Sequence, residues 1–288
     1  MRLIYYAIGG GLGHLVRARA FLHTLGLEAD ATVLSASESA GDARITGALD
    51  VLRVPARLER DPAALRAWLL DTIARTQARC LCVDTFPAGI LGELCDCPLL
   101  AQLDLWHVAR LLRWVEYAGA LHGAPPHYAR IWRVEHLHDA HEAFIAQHGD
   151  AIEDLELRDA PASSAREDSS PPYWLVVHSG PQAEVSELVA YADEVRREEC
   201  ADVPLWIATL DPPRALPSAS RLLDGYPASL YFANAQRIFS AAGFNVMRQT
   251  APFRARHSVL PMPRRFDDQF ERARRAFARP MLPPAALI

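Results

Sequence analysis

Short apolar runs alternate with stretches of helical periodicity along this chain, and few architectures satisfy that alternation. "RLIYYAI", "ATVLSA", "DVLRVP", "RCLCVD" and "CPLLAQLD" read as strands, while helices start near His14 and cover "DPAALRAWLLDTIART". Strands linked through helices run parallel, and near-continuous apolar strands imply a sheet covered on both faces. The pattern restarts with the strand "YWLVVHS", the helix "AEVSELVAYADEVRREE" and the strand "PLWIATL". A short strand "SLYFA", a helix "NAQRIFSAA", the segment "HSVLPMP" and a last helix "DDQFERARRAF" follow. Between the two series lies "RDAPASSAREDSSPP", whose Pro, Ser and charge mark a domain boundary. We therefore expect an α/β fold of two wound sheets, over residues 1–157 and 173–288, with a linker at 158–172. Their facing strand ends would form a ligand cleft.

The chain has 288 residues, 50% of them hydrophobic, enough for two cored domains. A formal charge of −5 argues against a nucleic-acid partner. All 30 basic residues are arginine, a bias that a GC-rich genome would produce. It has chemical consequences: a Schiff-base lysine, pyridoxal-phosphate chemistry and a P-loop lysine are excluded. Anions must be held by arginine, protonated histidine, backbone amides or helix ends. Cys80, Cys82, Cys95, Cys97 and Cys200 lack C-x-x-C metal spacing and read as free thiols, buried where they join apolar runs. No signal-peptide pattern and no membrane-length apolar run is found, so we expect a reduced cytoplasmic protein, peripheral to a membrane at most.

In "YYAIGGGLGHLVRARAFLHTL" (5–25), Gly9, Gly11 and Gly13 alternate. The dinucleotide pattern fails because its last glycine falls on His14, and a Walker loop fails for want of lysine. What is left is a strand, a glycine turn, and a helix opening with His14 and Arg17. A helix N-terminus disfavours imidazolium, which suits His14 to act as a general base; a loop-capping histidine is the plainer alternative. Asp84 and Thr85 end a strand, where polar groups can orient a substrate hydroxyl or simply cap a helix. Ser179 and Gly180 end another strand at a helix start that suits a phosphate, or an ordinary serine cap. Gly243 and Asn245 begin a helix carrying Gln249 one turn on, and Arg264 and Arg265 precede an acidic helix start at Asp267, Asp268 and Gln269. The histidine-rich "VEHLHDAHEAFIAQH" lacks H-E-x-x-H spacing, and no D-x-D pair occurs, so no metal site is expected.

Together, "GGGLGHLVRA", "DTFPAGILGEL", "HSGPQAEV", "SAAGFNVMRQ" and "LPMPRRFDDQFERAR" resemble, in order, the motifs of GT-B glycosyltransferases. The likeness is to family 28-like members related to the peptidoglycan N-acetylglucosaminyltransferase. It implies two Rossmann-like domains, the first binding an acceptor and the second a nucleotide-sugar donor, with no further cofactor. His14 would be the base or a donor-phosphate contact, with Gly11 and Gly13 in its loop. Ser179 and Gly180 would form the phosphate turn, and Gly243 and Asn245 the helix start under the diphosphate. Gln249 stands where a ribose-binding glutamate is usual, and Asp268 with Gln269 falls on the donor-sugar motif.

The expected chemistry is sugar transfer without metal. His14 and Asp84 would deprotonate an acceptor hydroxyl, Arg17 and Thr85 would lie on the acceptor side, and Arg264 would face the leaving diphosphate. A lipid-linked acceptor is open. A compact GT-B nucleotide-sugar hydrolase shares the pattern Gly11-x-Gly13-His14-x-x-Arg17, and a non-catalytic relative that binds a sugar or a protein is the third reading. Oligomeric state is not legible.

Overall fold

The computed structural model describes residues 2–161, 172–224 and 226–278. The first half runs β1 (Leu3–Ala7), α1 (Leu12–Leu25), β2 (Ala31–Ser35), α2 (Ala43–Thr46), β3 (Asp50–Arg53), α3 (Pro62–Thr76) and β4 (Cys80–Asp84). It continues through β5 (Asp104–Ala109), α4 (Trp114–Ala118), β6 (Tyr128–Arg133), α5 (Asp139–His148) and β7 (Gly149–Asp154). The second half runs β8 (Tyr173–Val177), α6 (Gln182–Glu198), β9 (Leu205–Ala208), β10 (Ser220–Leu222), β11 (Ala235–Ser240), α7 (Phe244–Gln249), β12 (His257–Val259) and α8 (Gln269–Phe277). Two parallel sheets result, ordered β3-β2-β1-β4-β5-β6-β7 and β10-β9-β8-β11-β12. This is the expected α/β architecture of two wound sheets.

Strand periodicity explains how one sheet serves two cores. β1 is buried throughout, and its alternate side chains go to opposite faces. Ile4 and Tyr6 join Leu34, Leu81 and Val83 on one side, while Leu3, Tyr5 and Ala7 join Val33, Cys80 and Cys82 on the other. The cysteines are free; Cys80, Cys82 and Cys95 are buried, Cys97 partly so, and Cys200 is exposed. α1 stops at Gly26, whose φ of 67° is the left-handed cap conformation glycine adopts without strain.

Several local expectations are corrected. "CPLLAQLD" holds a 3-10 turn over Pro98–Gln102, and the strand there is β5, starting at Asp104. "NAQRIFSAA" is the strand β11 rather than a helix: Ile238 and Phe239 are buried on opposite faces of a doubly covered sheet, and its alanines imitate helical composition. "SLYFA" lies on a 3-10 turn over Ala228–Tyr231 that drops Tyr231 and Phe232 into the same core as Ile238. The histidine-rich stretch forms α5 and the residues before it. There His141 stacks on Trp114 at 4.0 Å and is pushed down to about 2 chiefly by burial. His138 meets Asp268 at 3.0 Å, and His148 Nδ1 lies 2.9 Å from the Phe144 carbonyl.

α8, assigned to the second half, crosses back onto the first. Arg272, 5% exposed, donates to Glu135 at 2.6 and 3.0 Å, to Asp267 at 2.9 Å and to the Ala242 carbonyl at 2.9 Å. Asp267 also receives Arg110, so a buried network of two arginines and two acids joins the halves. Arg113 N donates to Phe266 O at 2.8 Å beside it. Because taking one partner from a buried ion pair strands the other's charge, Arg272→Met should lower unfolding free energy by about 3–5 kcal/mol in urea titration.

Candidate active site

In the first sheet the strand order reverses between β1 and β4, and in the second between β8 and β11. Loops leaving the carboxyl ends of strands at such a switch point border the binding crevice of an open α/β sheet. The four loops meet here around a cleft of about 640 Å³, within the range of small-molecule sites. The glycine turn with His14 lines one wall, and Ser179, Gly180 and Gly243 to Asn245 line the other. Asn245 Nδ2 donates to the Gly13 carbonyl at 2.8 Å and ties the walls together.

The chemistry converges on Asp84, 2% exposed at the end of β4. Its carboxylate accepts Arg17 Nε at 2.6 Å, Arg17 Nη2 at 2.5 Å and Tyr5 Oη at 2.9 Å, and meets His14 Nδ1 at 2.6 Å. Burial alone would raise this carboxyl, but the charge and hydrogen bonds of Arg17, with the bond to His14, hold it far below the usual carboxylate range. With the ring proton on Nδ1 facing Asp84, Nε2 keeps its lone pair as an acceptor. Burial is the main cause lowering His14 below its ordinary 6.5; Asp84 works against it and Arg17 adds to it. The direction matches the expectation from the sequence, but the leading cause is desolvation rather than the helix end.

The other anticipated residues divide. Thr85, fully buried at a φ of 67°, accepts Arg17 at 2.6 Å and Arg110 at 3.1 Å, so it braces the wall from behind. Arg17, 2% exposed, is committed to Asp84 and Thr85 rather than open to an acceptor. Asp84 lies behind His14, against Nδ1, and off the cleft lining. The α6 start differs from expectation: its cap is Pro181, not Ser179, and its Gln182 amide already donates to Asp211 at 3.0 Å. Arg264 is held bidentately by Glu184, at 2.6 and 2.5 Å, so its charge is spent within the protein. Gln249 lines the cleft but donates to Asp159 at 3.1 Å. Asp268 caps α8 and meets His138, away from the cleft, whereas Gln269 lines it and accepts Met262 N at 3.0 Å.

No protein-family model and no curated protein matches the sequence. Solved structures do. The spinosyn rhamnosyltransferase SpnG superposes with a TM-score of 0.59 at 15% identity, covering 95% of this chain and 83% of that one. SnogD, a glycosyltransferase from Streptomyces nogalater, gives 0.56 at 14% identity over 91% and 81% of the two chains. S. aureus MnaA, solved with UDP, gives 0.53 at 11% over 91% and 80%. The chain has the GT-B fold.

Within this GT-B frame, several residues escaped sequence reading. Tyr5 looks like any strand residue, yet its hydroxyl reaches Asp84. Phe86 lies 6.0 Å from the His14 ring, centroid to centroid, and Phe266 packs edge-on to Phe86 at 5.9 Å. Arg110, Glu135 and Arg272 lie far apart in sequence and meet only through the fold. Gly9 carries the one signal that was available. A Cβ built there falls inside the contact distance of His14 Nε2 and the two ring carbons beside it, so the absence of a side chain at position 9 is what makes room for that edge of the imidazole. Gly9→Ala should therefore displace His14 while leaving the sheets folded. Nitrogen-15 NMR of the imidazole should show loss of the Asp84-bonded tautomer, with circular dichroism unchanged.

Proposed function

We propose that this protein transfers a sugar from a nucleoside-diphosphate sugar to an acceptor hydroxyl. The observation that carries the reading is the His14–Asp84 pair on one wall of the cleft, with Nε2 uncommitted, across from the glycine turn that starts α7. In the proposed step the acceptor hydroxyl gives its proton to His14 Nε2 as its oxygen bonds to the anomeric carbon. The bond from that carbon to the diphosphate breaks, and the nucleoside diphosphate leaves with the electron pair. Backbone amides at Gly243 to Asn245 would meet the charge that grows on the leaving group, without a metal. Phe86, Ile90 and Phe266 line the same cleft, which favours an acceptor with an apolar or aromatic body. Among the described residues no helix is long and apolar enough to cross a membrane, and peripheral contact through a lipid-borne acceptor belongs to the same reading. So do the family 28-like kinship, a hexosyl donor and a cytoplasmic setting.

SpnG has been solved with thymidine diphosphate and with spinosyn aglycone, and MnaA with UDP, so TDP- and UDP-sugars head the panel to be tried, with GDP-sugars beside them. A nucleotide that binds should raise Tm with ligand excess, and no shift with any of them would sink the reading in favour of a non-catalytic binder. The pattern Gly11-x-Gly13-His14-x-x-Arg17, with Arg17 and His14 joined through Asp84, serves equally to activate water. Donor turnover in the absence of any acceptor would favour that hydrolase. With a turnover assay in hand, His14→Ala should lower kcat by roughly 10²- to 10⁴-fold with the donor Kd unchanged, read by initial rates and calorimetry. Equal loss of both would remove the base assignment. The neutral ring is the active form, and its proton affinity lies below the ordinary 6.5. Activity should accordingly be flat above pH 6.5 and fall only as pH drops through the lowered value, a limb measured as log kcat/KM against pH.

A further inference from the structure

Arg17, Arg44, Arg110, Arg264 and Arg265 line the cleft. Four are ion-paired: Arg17 with Asp84 at 2.5 Å, Arg44 with Asp42 at 2.7 Å, Arg110 with Asp267, and Arg264 with Glu184 at 2.5 Å. Arg265 is exposed and has no carboxylate partner among the described residues. Its guanidinium instead lies over the ring of Phe266, 4.5 Å from the centroid. Phe266 is itself 7% exposed and held edge-on by Phe86 at 5.9 Å and Tyr117 at 5.5 Å. A loose surface arginine loses rotamer freedom when it binds; one laid on a fixed ring has already lost part of it. Among the described residues its N–H groups make no hydrogen bond or ion pair, and such a fork matches two oxygens of a phosphate or carboxylate.

We propose that Arg265 is the anion-recognition residue of the cleft, binding a phosphate or carboxylate group through its N–H edge. This rests on the sugar-transfer reading, which offers two sources for the group: the diphosphate of the donor, or an acid carried by the acceptor beside the aromatic wall.

Calorimetric titration of wild-type protein and Arg265→Ala with inorganic pyrophosphate, UDP, TDP and 4-hydroxybenzoate tests this. Arg197→Ala makes the same charge change on an exposed part of α6, and its affinities should equal wild type. Arg265→Ala should keep the wild-type Tm, since the side chain is exposed, and weaken its anion by roughly ten- to a hundredfold, the loss of one charge-assisted contact. Loss confined to pyrophosphate and nucleotides assigns the donor; loss confined to 4-hydroxybenzoate assigns an acidic acceptor; either supports the proposal. Equal affinity of wild type and Arg265→Ala for every anion, or no anion bound by wild type, overturns it. Failure of the sugar-transfer reading looks different: wild type then turns over no nucleotide sugar, whatever Arg265 binds.

Discussion

The buried pair of Asp84 and Arg17 is the contact on which the cleft depends. A carboxylate at 2% exposure is tolerable only if its charge is matched and its oxygens are satisfied, because desolvation of an isolated ion costs several kcal/mol. Two donors from Arg17, the Tyr5 hydroxyl and His14 meet that demand. Three elements meet there: α1 supplies Arg17 and His14, β1 supplies Tyr5, and β4 supplies the acid. The pair thereby locks the first helix against the two central strands at the point where the strand order turns. The imidazole is aimed as a by-product of satisfying the acid.

Arginine geometry explains how a lysine-free chain builds its interior. Arg272 donates to two acids and to the Ala242 and Leu111 carbonyls, using the planar fork to bind several acceptors in fixed directions. An ammonium offers three donors around a point and could not span that set. Burial would lower Arg272's proton affinity, but Glu135 and Asp267 more than reverse this and keep it charged. Of the arginines that line the cleft, Arg17, Arg44, Arg110 and Arg264 are likewise paired with acids of the protein.

The double-wound architecture was legible because parallel strands buried on both faces leave long apolar runs between helices. Errors fell where composition and environment disagree. The segment around β11, with Ala235 inside the strand and Ala241 and Ala242 just after it, looks helical in composition, and the pairing with β8 and β12 makes β11 a strand. His14 could be found from its glycine turn, since a ring packed against a backbone requires residues without side chains. Its partner Asp84 was visible as a strand-end acid, but its role behind the ring was not, because burial is a tertiary property. The phosphate positions were read from helix starts and from the motif resemblance. Both signals are blind to side chains from elsewhere in the chain, and Asp211 on the α6 amide and Glu184 on Arg264 are such side chains. Arg265 shows the reverse: the sequence reading gave the diphosphate to Arg264, whereas in the structure Arg264 is paired with Glu184 and Arg265 lies over the Phe266 ring.

The balance around His14 also bears on the character of the proposed reaction. An unpaired aspartate beside the ring would draw a proton onto it and leave a cation in place of a base. Burial is the main effect that takes the ring toward its neutral form, and Arg17 offsets part of the aspartate's pull. Availability is gained at the expense of basicity. A base of lowered proton affinity removes a hydroxyl proton only when that hydroxyl has become more acidic, which happens as its oxygen starts to bond an electron-poor carbon. Proton transfer would then follow much of the cleavage of the bond to the diphosphate, giving an oxocarbenium-like transition state with most of its negative charge on the leaving group. The demand on the site shifts accordingly, from a strong base at His14 to a cation and amides placed for the departing oxygen.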